Sequence, residues 1–151
     1  MNREQLVEVS RSFLGTPHLN GGTVKGIGLD CCTFPAMLYR ELGAAEIHVN
    51  TGYSGDWFCS ATGGELLRPY LDRYFLPVAE LQPGDLISYR WGRSRWAHVS
   101  VYLGLFYGRE MVVHCSAADG VCLAGRQSCC FTDRRGMSRE TGFWRLKNEF
   151  I

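Results

Sequence analysis

The hydrophobic period of the chain changes near residue 75, and this change constrains the fold more than any other feature. Before it, residues 3 to 14 place apolar side chains at helical spacing. After it, turn residues separate short β-rich runs, which are GDLISYRW, AHVSVYLG, EMVVHCSA, GVCLA and GFWRLKN. Helices that come first and a strand meander that follows predict an α+β fold. We expect the N-terminal helices to pack on an antiparallel β-sheet of about five strands.

The first half of the chain predicts helices over residues 3 to 14, Cys31 to Leu42 and Glu65 to about Tyr74. Asp30 is a natural N-cap of the second helix, and Gly43 is a natural terminator. Pro35 lies early in this helix, where it removes one backbone donor. The segment from 15 to 28 is rich in glycine, so it must bend sharply or approach another group closely. Residues 44 to 63 are typical of a loop.

Length and charge limit the classes of protein that the chain can belong to. A chain of 151 residues suits one domain, spanning 1 to 151. The formal net charge is +1, which does not favour nucleic-acid binding. No stretch approaches the ~20 apolar residues of a membrane helix, so no membrane insertion is expected. The N-terminus MNREQLVEVSRS is charged where a signal peptide is apolar, so we expect synthesis in the cytoplasm without a signal peptide.

Cysteine is unusually frequent, with seven residues in the chain. An odd number without an export signal predicts reduced thiols rather than a disulfide framework. No two of them have the C-x-x-C spacing of a zinc knuckle. We therefore expect no metal and no cofactor. A protein that uses its cysteines and histidines for metal binding or redox chemistry stays open as an alternative function class.

Two adjacent cysteines follow an aspartate in the stretch GLDCCT, at the start of the second predicted helix. A cysteine nucleophile needs thiolate character, which the unpaired N–H groups and the macrodipole of a helix N-terminus supply. Cys31 is the first helical residue in this prediction, and Cys32 points about 100° further around the helix axis. The alternative is that both are small buried hydrophobic residues, which is the commoner role of cysteine.

A cysteine nucleophile also needs a base, and His98 and His114 both lie in predicted strands. Sixteen residues separate them, about the length of two strands and a turn, so a hairpin would make their strands neighbours. His98 can then take the proton from Cys31 while His114 orients His98. The alternative for each histidine is a hydrogen-bonded structural role. Cys129 and Cys130 lack a nearby capping signal and are interpreted as structural.

These residues belong to an ordered set of segments that lie within positions 5 to 147. The segments are GTPHLNGG, VKGIGLDCCTF, AMLYRELG, LQPGDLISYRW, AHVSVYLG, MVVHCSAADGV and FWRL. Together they resemble the NlpC family of papain-like cysteine peptidases, which cut cell-wall peptides. They look most like the short phage-tail branch of that family. The resemblance implies a papain-like, NlpC-type fold.

The resemblance also implies a role for each matching residue. Cys31 stands in the position of the nucleophile, and His98 stands in the position of the general base. His114 falls where the family has the third polar residue, which orients the base. Asp30 matches the aspartate that helps to bind the free amino group of the peptide.

The sequence departs from the family pattern in the substrate pocket. His18 stands where the family usually has Tyr, and Asn20 stands where it has Trp. Cys32 replaces the usual Ser after the nucleophile, and we expect it at the pocket wall. His18 and Cys32 are therefore the expected substrate-binding positions besides Asp30.

The function implied by the resemblance is that of a cysteine endopeptidase with a Cys-His-His triad, acting on peptidoglycan stem peptides. The expected bond joins γ-D-glutamate to a diamino acid. The phage-tail branch implies a protein that is carried on a virion tail, contacts tail proteins and acts on the cell wall. Two alternatives stay open: a catalytically inactive tail assembly or scaffold protein with the same fold, and a related cell-wall amidase.

Overall fold

The structure is a computed structural model that describes residues 2–49 and 64–151. Its helices are α1 (Arg3–Phe13), α2 (Thr33–Glu41) and α3 (Gly64–Tyr74). Its strands are β1 (Thr23–Val24), β2 (Gly28–Leu29), β3 (Phe75–Val78), β4 (Leu86–Trp91), β5 (Ser94–Phe106), β6 (Arg109–Ser116), β7 (Gly120–Gly125) and β8 (Glu140–Leu146). Short 3-10 helices cover Cys129–Phe131 and Asn148–Phe150. None of the described helices has the length and apolar character that crossing a bilayer requires.

The main sheet has six strands in the order β3-β8-β4-β5-β6-β7, and every neighbouring pair is antiparallel. Five of them are the predicted strands, so the expected fold class is confirmed. The sixth strand, β3, was not predicted. It has four residues, contains Pro77 and begins directly after Tyr74, so its period could not be read. Proline is tolerated there because β3 lies at the edge of the sheet.

The sheet has two buried faces because side chains alternate along its central strands. Val99 and Val101 of β5 point towards the helices and pack in the larger core with Leu38 and Leu71. Residues on the opposite face form a smaller cluster, which consists of Ile87, Tyr89, Tyr102, Val112 and Phe131. His98 precedes Val99 and contacts Tyr89 and Phe131, so it belongs to the face away from the helices.

Helix α2 begins at Thr33, two residues later than predicted. The hydrogen-bonded turn that leads into it still starts at Asp30, since the Phe34 N–H donates to the Asp30 carbonyl at 3.0 Å. Cys31 and Cys32 therefore lie in a turn just before the helix. Pro35 is in the first helical turn, where a missing N–H is tolerated.

The loop predicted over 44 to 63 is described only as far as residue 49, where no regular structure is found. Residues 50 to 63, with Cys59 among them, lie outside the described part of the chain. The six cysteines that are described are all free thiols.

Candidate active site

Asp30 fixes the turn that carries the two cysteines. Its Oδ1 atom accepts hydrogen bonds from the backbone N–H groups of Cys32 and Thr33, both at 2.9 Å. In return, the Thr33 Oγ1 atom accepts from the Asp30 N–H at 2.9 Å. This reciprocal pair is a capping box, so the predicted N-cap role of Asp30 agrees with its bonds although the helix begins two residues later.

The glycine-rich loop is folded against the same aspartate. The Gly21 N–H donates to Asp30 Oδ2 at 2.7 Å, and β1 pairs with β2 in a small hairpin inside the loop. The loop is too tight for a side chain at Gly22, where a Cβ atom would lie 2.5 Å from the Gly28 carbonyl oxygen. A backbone bridge between His18 and Leu29 brings the imidazole beside the cysteine turn. The predicted close approach of this loop is therefore real, and it reaches Asp30.

The two cysteines have different environments. Cys31 is partly exposed, whereas Cys32 is only 2% exposed and packs in the helix-facing core. Their sulfur atoms lie 3.8 Å apart, within hydrogen-bonding range. The hydrogen bond to Cys31 and burial raise the pKa of Cys32 well above its ordinary value. We expected Cys32 at the wall of the pocket, but the turn before α2 directs it into the core instead.

His98 and His114 form a hydrogen-bonded pair. Nε2 of His98 lies 2.9 Å from Nδ1 of His114, and the rings meet edge to face. The Trp91 ring stands edge-on to His98 with centroids 5.5 Å apart, and Phe131 packs 5.0 Å from His114. The predicted neighbourhood of these two histidines, in adjacent strands, is therefore observed.

Both imidazoles are neutral at pH 7. Burial, followed by the neighbouring His114 and His18, lowers the pKa of His98 well below its ordinary value. Burial lowers the pKa of His114 to about 4, because only 4% of its surface is exposed. A neutral imidazole has one nitrogen free to accept a proton, as a general base requires.

Cys31 and the two histidines open onto one cleft of about 490 Å³. The polar or aromatic residues that line it include His18, Asn20, Asp30, Cys31, Trp91, His98, His114, Ser116 and Asp119. No hydrogen bond joins the Cys31 sulfur to His98 within the described residues. All the predicted site residues except Cys32 therefore line this cleft, while the contact between nucleophile and base stays a prediction.

Some residues at or behind the cleft were not singled out from the sequence. Trp91 and Asp119 line the cleft, and Phe131 packs behind the histidine pair. Cys130 also lines it, although it was interpreted as structural. The register of β4 against β5 could have indicated Trp91, because Tyr89 pairs directly with His98. Phe131 and Cys130 reach the site from a 3-10 turn whose position no local pattern predicts.

Potential metal ligands are not clustered in the described part of the chain. In residues 2–49 and 64–151, no three His, Cys, Asp or Glu side chains are grouped so that they could hold a metal ion.

The α+β fold, with a cysteine and two histidines at one cleft, matches solved structures of the papain-like class. The model of the NlpC/P60 family matches residues 15–135, which is most of the chain. The chain therefore belongs to the NlpC/P60 family, a family of cysteine peptidases. No curated protein sequence matches it.

Solved structures of the same family resemble the fold. The NlpC/p60 domain of the peptidoglycan hydrolase SagA has a TM-score of 0.60 and 16% sequence identity, covering 97% of this chain and 100% of that one. A Staphylococcus aureus protein described as similar to a lipoprotein of the NLP/P60 family has a TM-score of 0.62 and 16% identity. That match covers 95% of this chain and 41% of the other. At this identity the likeness establishes the fold.

Proposed function

We propose that the protein is a cysteine endopeptidase that cleaves peptidoglycan stem peptides, at the bond between γ-D-glutamate and a diamino acid. The observation that supports this most is the hydrogen bond between His98 and His114, which open with Cys31 onto one cleft. Membership of the NlpC/P60 family and the likeness to the peptidoglycan hydrolase SagA support the substrate class.

The histidine pair suits general base catalysis through one tautomer. His98 must keep Nδ1 unprotonated to accept the thiol proton of Cys31, so its Nε2–H donates to His114 Nδ1 at 2.9 Å. His114 then holds the ring of His98 in place. When His98 gains a proton, the neutral His114 remains an acceptor and stabilises the imidazolium.

The turn at Asp30 leaves one backbone donor for the oxyanion. The N–H groups of Cys32 and Thr33 donate to the side chain of Asp30, and that of Phe34 donates to its carbonyl. The Cys31 N–H has no hydrogen-bond partner within the described residues. This amide therefore stabilises the negative oxygen that forms when the sulfur attacks the carbonyl.

The reaction proceeds through a covalent acyl-enzyme. The sulfur of Cys31 forms a bond with the carbonyl carbon, and His98 passes its proton to the leaving amine as the peptide bond breaks. Water then gives a proton to His98 and attacks the thioester, which releases the free carboxylate and restores the thiol.

The charge of the cleft suits a peptide that carries an ammonium group. Both histidines are neutral at pH 7, and no Lys or Arg stands among the described residues that line the cleft. Asp119 is exposed and Asp30 is buried, with each lining the same cleft. Negative charge in a cleft raises the local concentration of a cationic substrate. We propose that Asp119, together with Asp30 and His18, forms the region that accepts the amine.

Defined muropeptides test the proposed function. Purified protein should release the fragment that begins with the diamino acid, detected by mass spectrometry. Cys31→Ala should abolish this release, whereas Cys129→Ala should retain it because Cys129 is an exposed thiol away from the cleft. Retained cleavage in Cys31→Ala would contradict the assignment. Cleavage at an N-acetylmuramoyl–L-alanine bond instead would identify the related amidase.

One observation favours a second candidate, a scaffold without catalysis. In the described residues, Cys31 contacts Cys32 through its sulfur and makes no hydrogen bond to His98. Alkylation by iodoacetamide separates the two candidates, because an active Cys31 reacts much faster than the other thiols. Equally slow reaction at every cysteine would favour the scaffold. Attachment to a phage tail rests on the sequence resemblance alone and stays a prediction.

A further inference from the structure

The buried thiol of Cys32 is not used by the mechanism above, yet it touches the sulfur that the mechanism depends on. The two sulfur atoms lie 3.8 Å apart, and either can be the donor by geometry alone. Cys32 approaches from the helix-facing core, whereas His98 reaches the cleft from the sheet face away from the helices. The contact of Cys31 with Cys32 therefore comes from the core side, and not from the sheet face that carries His98.

The direction of the hydrogen bond follows from burial. Cys31 is partly exposed and lines the cleft, while Cys32 is 2% exposed and does not line it. Charge is more costly on the buried sulfur, so the proton stays on Cys32 when one of the pair ionises. The pKa of Cys32 is raised well above its ordinary value, first by the hydrogen bond to Cys31 and then by burial, in agreement with this direction.

The Cys32 sulfur is paired with Cys31 and not with the nearby buried hydroxyl of Tyr70. Within the described residues, the Cys32 sulfur makes no other hydrogen bond than the one to Cys31. The nearby hydroxyl of Tyr70 is buried and lacks a hydrogen-bond partner. Its pKa is raised by burial and next by Cys32, which places the two groups in the same buried region.

The backbone holds Cys32 where this bond forms. Its N–H donates to Asp30 Oδ1 at 2.9 Å, which fixes the backbone of Cys32 and with it the direction of its Cα–Cβ bond. The capping aspartate thus fixes the donor as well as the turn that carries the nucleophile.

We propose that Cys32 is a positioning residue, whose neutral thiol donates a hydrogen bond to the Cys31 sulfur from the core side and favours its thiolate form. This inference rests on the proposed role of Cys31 as the nucleophile. A hydrogen bond to an anion stabilises it, and donors to a charged acceptor are the stronger ones. A neutral His98 places no positive charge beside the Cys31 sulfur. The hydrogen bond from Cys32 therefore stabilises the thiolate from the core side.

The rate of alkylation at Cys31 against pH tests the inference without any substrate. Iodoacetamide is added between pH 5 and 10, and mass spectrometry follows the peptide that contains residue 31. Cys32→Ala removes the donor and should slow alkylation of Cys31 at pH 7 about tenfold, equivalent to a displacement of the profile by about one pH unit. The difference should shrink as the pH rises, because a higher pH favours the thiolate in either protein.

Two further variants make the test specific. Cys32→Ser keeps a donor in a side chain of similar size and should stay within about threefold of the wild type at pH 7. Cys115→Ala removes another thiol of the same core, one that bonds to the Leu29 carbonyl and not to Cys31, and should leave the profile unchanged. Circular dichroism shows that each variant is folded. Cys32→Val, which also lacks a donor but fills more of the core, replaces Cys32→Ala if that variant does not fold.

Three results would overturn the inference. These are an unchanged profile in Cys32→Ala, equal slowing in Cys32→Ser and Cys32→Ala, and equal slowing in Cys115→Ala. The proposed function fails separately. If Cys31 reacts fast in the wild type but no muropeptide is cleaved, the peptidase assignment is wrong and the role of Cys32 stands. If muropeptides are cleaved and Cys32→Ala alkylates normally, the reverse holds.

Discussion

The cleft joins two regions that are held together by different forces. The first, here called the thiol side, is the turn of Asp30, Cys31 and Cys32 before α2. The second, here called the imidazole side, is the pair His98 and His114 on the sheet. Backbone hydrogen bonds to one carboxylate fix the thiol side. Burial and ring contacts fix the imidazole side. A substitution on each side should therefore damage a different property of the protein.

The largest effect is expected on the imidazole side, from the loss of the base. His98→Gln should reduce kcat/KM for muropeptide cleavage about 10³-fold, because proton transfer by a positioned side chain contributes 10²- to 10⁴-fold. The measurement is a steady-state assay at pH 7 on the variant and the wild type. His48→Gln is the matched control, since His48 is exposed and does not line the cleft. Comparable rates in His98→Gln and His48→Gln would show that the thiol side works without a base.

The second effect is a loss of stability in acid, and it also belongs to the imidazole side. The pKa of His114 is about 4 in the folded protein and 6.5 when unperturbed. Between these values the unfolded chain binds one more proton than the folded chain, so stability falls as the pH drops from 6.5 to 4. The expected loss from His114 is about 3 kcal/mol. His98 adds to it in the same direction, because its pKa is also lowered.

Urea denaturation at a series of pH values measures this loss. His114→Gln has no titrating group at this position, so its free energy of unfolding should depend less on pH between 6.5 and 4 than that of the wild type. Parallel curves for the two proteins would mean that the acid sensitivity has another source.

The sequence predicted the two sides with unequal success, for a physical reason. The pairing of His98 with His114 follows from strand alternation and hairpin length, and both are local. The capping role of Asp30 follows from a local preference as well. The side chain of Cys32 was placed wrongly because a shift of the helix start by two residues changes where each side chain of the turn points.

Long-range contacts explain what else was missed. Strand β3 forms only by pairing with β8, near the other end of the chain, and its four residues have no period of their own. Phe131 packs beneath Tyr89 and His114 from a short 3-10 turn. Neither contact has a signal in its own segment, so both required the structure.

The third effect sharpens the comparison on the thiol side. Asp30→Ala leaves three backbone N–H groups without their acceptor, those of Gly21, Cys32 and Thr33. We expect the free energy of unfolding to fall by about 2 kcal/mol, as for loss of a strong N-cap with buried donors. Denaturation by urea measures it. Asp72→Ala, which removes an exposed ion pair to Arg68, should cost less than about 0.5 kcal/mol. Equal losses would mean that the capping box does not hold the thiol side.

The smallest effect concerns Asp119, which follows the imidazole side at the turn between β6 and β7. Asp119→Asn removes an exposed negative charge from the cleft and should raise KM for a muropeptide with a free amine by up to about fivefold, with little change in kcat. The increase should shrink at high ionic strength, because salt screens exposed charges.

Two acetylated substrates, one blocked at the N-terminal amine and one at the side-chain amine, show which group Asp119 contacts. For the substrate in which the amine that Asp119 contacts is acetylated, KM should be the same with Asp or Asn at position 119. If Asp119→Asn raises KM equally for the free substrate and for both blocked substrates, Asp119 affects the shape of the cleft and makes no electrostatic contact with an amine.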